Sequence, residues 1–429
     1  MVVVSVVVLG DIGHSPRMQY HSISLADGGH EVDLVGYSGS RPHRLVAENR
    51  KIRLRCLSEP PAVGGIIGLV IKCLWQAVTL FWCLMVTVAR PEVILLQNPP
   101  GLPALLVCWL VARLKGARFL VDWHNFTWSI LQLKWGQSHP LVRSVRWYEY
   151  GVGSWADGGF TVTTRMKELL RVECGVSTPL ATFYDRPLKG VFRPIVLEER
   201  HGIMRKMAEI SPDIFGDERD DATRFTERTP SGVQMRRGRP ALLISSTSWT
   251  ADEDFGMLFD ALTLYDERVA KGRVNLPDMV CVVTGKGPLK EYYLSRVPEW
   301  DHVQLCTPWL AAEDYPVLMA SADVGVCLHQ SSSGLDLPMK AVDMLGCRVP
   351  VLAFKYESID ELVVEDVNGR LFDSAQSLAD LLLVLLDGFD GQRSELAQLK
   401  ARLDEHSESE GWDWEAKWNE VVRPAVTSS

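Results

Sequence analysis

The chain has 429 residues, enough for two domains that each bury a core, and its 47% hydrophobic and 23% charged content excludes wholesale disorder. A net charge of -9 argues against nucleic acid as a partner, because binding a phosphate backbone needs a basic face. Nine cysteines without a CxxC pair fit small core residues in a reducing compartment rather than a disulfide framework or a zinc site.

Val2 to Leu9 is β-branched almost throughout and reads as a buried first strand. It has no basic n-region and no small-residue cleavage site, so it is not a signal peptide. The loop Gly10-Asp11-Ile12-Gly13-His14-Ser15-Pro16-Arg17 leads into a helix from about Met18 to Ala26, and Glu31 to Gly36 returns as a strand. This is a βαβ start whose loop lies at the carboxyl end of strand one, where open α/β sheets bind ligands. Its GxxG is not the dinucleotide GxGxxG and does not by itself indicate a cofactor.

Residues 62 to 89 carry one charge, Lys72, and are long enough to span a membrane. Glu92 to Gln97 reads as the next strand of the same sheet, and one crossing would leave it on the wrong side. A long helix packed on the sheet with an apolar face for the bilayer surface avoids that conflict, and a pure core helix is the other reading. Leu102 to Leu114 extends the same patch, and Trp75, Trp82 and Trp109 suit either core packing or interface anchoring. Arg118 to Asp122 is a strand ending in Trp123-His124-Asn125. A histidine just past a parallel strand is a catalytic candidate or a local cap, and both readings stand. A helix over 141 to 156 and strands at Phe160 to Thr163 and Ala181 to Tyr184 complete the first half.

Residues 187 to 239 are charge-dense and poor in apolar periodicity, so a solvated, partly mobile connector is expected. Ala241 to Ser245 opens a second domain, followed by Ser246-Thr247-Ser248-Trp249 and a helix from Phe255 to Tyr265. Met279 to Thr284 ends in Gly285-Lys286-Gly287, where backbone and lysine can approach a phosphate. Val303 to Leu305 leads to Thr307-Pro308-Trp309-Leu310, and Ala322 to Leu328 leads to Ser331-Ser332-Ser333-Gly334-Leu335-Asp336-Leu337-Pro338-Met339-Lys340. Asp336 stands where an N-cap would, so an anion-binding helix start is expected, with Asp336, Lys340 and Asp343 on one face. An ordinary strand-to-helix turn is the alternative. Alternating strands and helices mean a second doubly wound sheet. The expected division is 1–190, a connector at 191–239, a second domain at 240–405, and a tail at 406–429 with Trp412, Trp414 and Trp418 that packs back as a helix.

Two Rossmann-like doubly wound domains facing a cleft describe the α/β GT-B glycosyltransferase fold. The strings VVVLGDIGHSPRMQYH, LLQNPPGLP, VDWHN, ALLISSTSWTADEDF, VVTGKGPLKEYY, CTPWLAAEDYP and SADVGVCLHQSSSGLDLPMKAVDMLGC resemble the chitobiosyldiphosphodolichol beta-mannosyltransferase family, in order from residue 2 to about residue 372. Members of that family usually begin with a membrane helix, whereas this chain starts at the first strand, so the anchor is expected to be missing or removed. Retaining GT-B families carry two glutamates eight residues apart; aligning Leu337-Pro338 and Gly346 to that pattern puts Ser333 and Ala341 there. Asp252-Glu253-Asp254 likewise replaces the Arg and Lys those families place after the first strand of the second domain.

The resemblance implies an inverting enzyme that moves mannose from GDP-mannose to GlcNAc2-diphosphodolichol, adding the first mannose of the N-glycan precursor at the cytosolic face of the endoplasmic reticulum membrane. It implies no cofactor and requires no metal; Asp252, Glu253 and Asp254 read as a solvated acidic helix start rather than as metal ligands. His124 is the candidate base, with Asp122 and Asp11 in reserve. Lys286, Lys340, Ser331, Ser332, Ser333, Gly334 and the Asp336 helix start are candidates for the leaving diphosphate, and Asp343 for sugar hydroxyls. Ser246, Thr247, Ser248, Trp249, Gly285, Gly287, Thr307, Trp309 and Leu310 would frame the donor, and Gly13, His14 and Arg17 would meet the acceptor's diphosphate. Membrane surface is an expected partner, and association with other dolichol-pathway mannosyltransferases is left open. The alternatives are an inactive scaffold subunit and a related enzyme using another nucleotide sugar.

Overall fold

The computed structural model describes residues 1–427 except 63, 189, 220, 251, 273, 274, 390, 410 and 411. Asp220 of the charged segment and Gly411 at the head of the tail are therefore outside the described residues. The chain divides into two compact units, Met1–Asp185 with Glu415–Ser429, and Arg186–Trp414.

Unit 1 is built on seven parallel strands, β1 (Val3–Asp11), β2 (Glu31–Tyr37), β3 (Ile52–Cys56), β4 (Val93–Asn98), β5 (Arg118–Trp123), β6 (Gly158–Thr161) and β7 (Leu180–Thr182). Their order is β3-β2-β1-β4-β5-β6-β7, so the winding reverses between β1 and β4. A sheet covered on both faces has no solvent side, and Val4, Val6, Val7 and Val8 of β1 are all buried. Strand β3 is an addition to the sequence reading. Its Ile52-Arg53-Leu54-Arg55 alternation carries arginines that close on the buried Asp33 carboxylate of β2 at 3.1 and 2.7 Å, which pins the edge strand in register. The helix Trp414–Thr427 seals the unit: Trp418, Val422 and Val426 are buried, and Arg118 donates to the Val426 carbonyl at 2.7 Å.

The apolar segment folds as helix Gly65–Trp82, prolonged by a wider turn over Cys83–Thr87, and β4 follows it. It is long and apolar enough to cross a membrane, yet only 22% of its most apolar window is buried within the protein. Ile67, Val70, Leu74, Val78 and Trp82 recur at helical spacing on one open face, beside Leu106, Leu110 and Leu114 of the adjoining helix Ala104–Lys115.

Unit 2 has an antiparallel hairpin, β8 (Thr226–Thr229) and β9 (Gly232–Met235), and six parallel strands, β10 (Ala241–Ser246), β11 (Met279–Thr284), β12 (Val303–Cys306), β13 (Val324–Cys327), β14 (Val351–Phe354) and β15 (Gly369–Phe372). Their order is β12-β11-β10-β13-β14-β15, with the reversal between β10 and β13. Helix Phe255–Ala270 and helix Ala375–Leu386 pack together over this sheet.

The expected charged connector is instead folded. Helix Leu197–Ile210 and the hairpin turn their charges on one another: Arg228 meets Glu198 at 2.9 Å and Asp221 at 2.8 Å, and Arg205 meets Asp221 at 2.9 Å. Beneath these pairs Ile203, Met204, Met207, Phe215 and Phe225 are buried. That apolar spacing is short, and the flanking charges masked it.

Candidate functional site

In unit 2 the segments after β10, β11, β12 and β13 all emerge at the same edge, because the strands are parallel neighbours. Two of these loops are in direct contact. A Cβ on Gly285 would lie 1.8 Å from the Thr247 carbonyl oxygen, and one on Gly287 1.7 Å from that of Ser248, so only glycine fits at either position. Gly285 also has φ +128°. Lys286 between them is exposed, and its Nζ sits 3.6 Å from the centroid of the exposed Trp309 ring, a cation–π pair. Thr307 accepts from Lys290 through its carbonyl, and Leu310 is half-buried beside it. Ser246 Oγ and the hydroxyl of the half-buried Tyr315 share a 2.7 Å hydrogen bond.

Three readings of this half are corrected. Trp249 does not frame a ligand: it is fully buried with φ 47°, packed on Phe255 and Tyr293. Asp336 does not cap a helix. Helix Met339–Gly346 starts after Pro338, and Asp336 lies in the preceding loop, where it accepts from Ser331 Oγ and pairs with His329 Nε2 at 3.1 Å. The acidic run is a solvated helix start at Asp254 alone. Asp254 caps helix Phe255–Ala270 by accepting from Gly256 N, and Asp252 pairs with His329 at 3.6 Å. Glu253, 1% exposed, accepts from Thr247 Oγ1 at 2.5 Å and pairs with Lys340 Nζ at 2.6 Å. The three carboxylates therefore diverge to three partners rather than converging on one point, as metal ligands would have to.

His329 and Tyr315 escaped the sequence reading, and Glu253 entered it only as part of the acidic run. His329 was findable by the argument that singled out His124, since it too follows the carboxyl end of a parallel strand. Its pairing with Asp252 and Asp336 outweighs burial and raises its pKa to about 9, so it is an imidazolium at neutral pH. Gly334 at φ +77° turns the serine loop, and its carbonyl accepts from Ser358 N while Ser333 Oγ accepts from Leu335 N. Ser332 lies in the same loop, and the half-buried Asp343 lies within the helix Met339–Gly346 that follows.

In unit 1 the loop after β1 folds on its own carboxylate. Asp11 Oδ1 accepts from Gly13 N and Ser40 N, both at 3.0 Å, and Oδ2 meets His14 Nδ1 at 2.8 Å. Burial acts against them, but these donors hold Asp11 below the usual carboxylate range, which makes it a weak base. His14 is largely exposed.

Arg17 cannot serve as an acceptor contact, because it is 2% exposed and fully engaged. Its Nε and Nη2 clamp Asp122 at 2.8 and 2.9 Å, and Nη1 reaches Asp185 at 2.9 Å. Asp122 is wholly buried, and its Oδ2 is shared by Arg17, His21 Nε2 at 3.1 Å and His124 Nε2 at 3.0 Å. Burial alone would raise its pKa; the Arg17 guanidinium and the histidine contacts more than reverse that and hold it well below the usual value. Asp122 is thus an orienting anion and not a reserve base. His124 stays partly open to solvent with its Nε2 directed at Asp122. Its loop is set by the buried Glu149, which accepts from Thr127 N at 2.8 Å and Trp128 N at 3.0 Å at the start of helix Thr127–Trp135.

A glycosyl transferase 4-like domain matches residues 13–182, and a glycosyl transferases group 1 domain matches residues 242–388. The human chitobiosyldiphosphodolichol beta-mannosyltransferase is 44% identical over 432 residues, covering 98% of this chain and 91% of that protein. The chain belongs to this family. The Arabidopsis thaliana UDP-glycosyltransferase TURAN is 41% identical over 454 residues, covering 98% and 96%. Among solved structures, Anabaena HepE in complex with UDP and glucose aligns over 100% of both chains with a TM-score of 0.64 at 13% identity. Sucrose-phosphate synthase from Thermosynechococcus elongatus aligns over 97% and 96% with 0.65 at 14%. Those identities speak to the fold alone, which is GT-B.

Proposed function

We propose that the protein transfers mannose from GDP-mannose to the terminal GlcNAc of GlcNAc2-diphosphodolichol with inversion, forming a β1,4 bond, at the cytosolic face of the endoplasmic reticulum membrane. The observation that carries the mechanism is the His124–Asp122 pair. A histidine that donates Nε2–H to a buried carboxylate keeps Nδ1 bare for a substrate hydroxyl, and the carboxylate stabilises the imidazolium that forms. The acceptor hydroxyl loses its proton to His124, its oxygen bonds to the anomeric carbon, and the bond from that carbon to the diphosphate oxygen breaks with its electron pair on GDP. Lys286, the serine-loop backbone and Lys340 stabilise that leaving charge; Lys340 has two further N–H groups besides the one facing Glu253. Gly13 spends its N–H on Asp11, so His14 is assigned to the acceptor diphosphate, and Asp343 to donor hydroxyls.

The open stripe of Ile67, Leu74, Val78 and Trp82 supports docking on a lipid surface, where a polyisoprenoid substrate resides. Incubation with GDP-mannose and a GlcNAc2-diphosphate lipid, followed by β-mannosidase, tests the whole reading: release of one mannose establishes it. No product in the presence of lipid, beside an active control, overturns it. The name of the Arabidopsis relative favours one second reading, a uridine nucleotide donor on the same acceptor class. Protection by UDP and not by GDP would establish that alternative.

A further inference from the structure

Trp418 sits on the helix Trp414–Thr427, is 2% exposed, and donates its indole N–H to Nδ1 of His21 at 2.9 Å. An indole nitrogen can only donate, so the Nδ1 it meets carries no proton. Neutral His21 must therefore hold its proton on Nε2, the atom that faces Asp122 Oδ2. The ring is fully buried between Phe160 and Phe183, whose centroids lie 6.3 and 5.7 Å away. Burial, with the nearby Arg17 and His124, lowers its pKa against the pull of Asp122, so it stays neutral.

The opposite tautomer would set a bare Nε2 against a carboxylate oxygen, and a doubly protonated ring would add a second cation beside Arg17. The first would repel the carboxylate from the position in which His124 meets it, and the second would compete with His124 for the oxygen they share. The charged or titratable groups at this point are Arg17 and His21 of helix Pro16–Asp27, Asp122 and His124 at the end of β5, and Asp185 across Arg17. The C-terminal helix supplies Trp418.

We propose that Trp418 is a positioning residue for glycosyl transfer: it selects the tautomer of His21, and through the Asp122 carboxylate it orients His124 as the base. This rests on the reading of His124 given above.

Trp418→Phe retains a smaller aromatic ring and deletes the donor, and His21→Gln supplies an amide N–H to Asp122 that has no tautomer to select. Trp418→Phe is expected to lower kcat about tenfold, with the donor KM changed less than twofold. In the His21→Gln background the same change is expected to alter kcat less than twofold. In the 15N spectrum of histidine-labelled protein, His21 is expected as the Nε2–H tautomer, lost in Trp418→Phe. Equal losses in both backgrounds would mean a merely structural role and overturn the proposal. So would a wild-type kcat for Trp418→Phe while His124→Ala is inactive. Full activity of His124→Ala would instead remove the base itself, and the proposal with it.

Discussion

Asp122 accepts from one arginine and two histidines, and an anion so fully engaged can steer a neighbour but cannot itself collect a proton. His124→Ala is accordingly expected to reduce kcat by about 10²- to 10⁴-fold while leaving the donor KM nearly unchanged, as initial-rate kinetics would report. Lys340→Ala is expected to raise the Kd for GDP by about tenfold in titration calorimetry; unchanged affinity would remove Lys340 from the donor site. His329 carries a pH signature. Its folded pKa of about 9 exceeds the ordinary value near 6.5, so its stabilising contribution is complete below about pH 6.5 and is lost as pH rises through 9. The amount is on the order of 3 kcal/mol, and Tm measured from pH 6.5 to 10 should fall for the parent and stay flatter for His329→Gln. Such pairings join residues far apart in the chain: Glu253 and Lys340 are 87 positions apart, and no local pattern marks either as the other's partner. A sequence shows that charges are present, and here it left open whether water or a lysine faces them.

At the scale of elements, strands were the legible part. The β-branched runs of β1 and β11 can be buried on both faces and little else, whereas the alternating, charged β3 and the charge-flanked helix Leu197–Ile210 resembled surface loops until their partners were in view. The loop after β11 is legible only as glycines at fixed places; the reason is the β10-loop carbonyl each one faces. Gly287→Ala forces the Ser248 loop away and is expected to destabilise the protein by several kcal/mol, read as a fall in Tm with loss of GDP binding. The helix Gly65–Trp82 and its neighbour present apolar stripes of matching spacing. Replacing Val78 and Trp82 by glutamate is expected to reduce co-sedimentation with phosphatidylcholine vesicles at least tenfold without changing Tm, since both side chains are already open to solvent.

Across the whole molecule, unit 1 takes its members from both sides of unit 2. Residues 1–185 expressed alone lack Trp418 and the buried face of helix Trp414–Thr427, and are expected to unfold without a cooperative transition. Adding a peptide spanning 412–427 should restore cooperativity, and circular dichroism against denaturant would record it. The same arrangement sets a clock on synthesis. Unit 2 can close as soon as it clears the ribosome, but unit 1, although residues 1–185 emerge ahead of unit 2, must wait for residues 415–427, a delay on the order of ten seconds or more. During that interval β1 to β7 stand without their last covering helix and His124 without its full support, so a ribosome stalled short of Trp418 would carry a nascent chain that cannot yet perform the transfer.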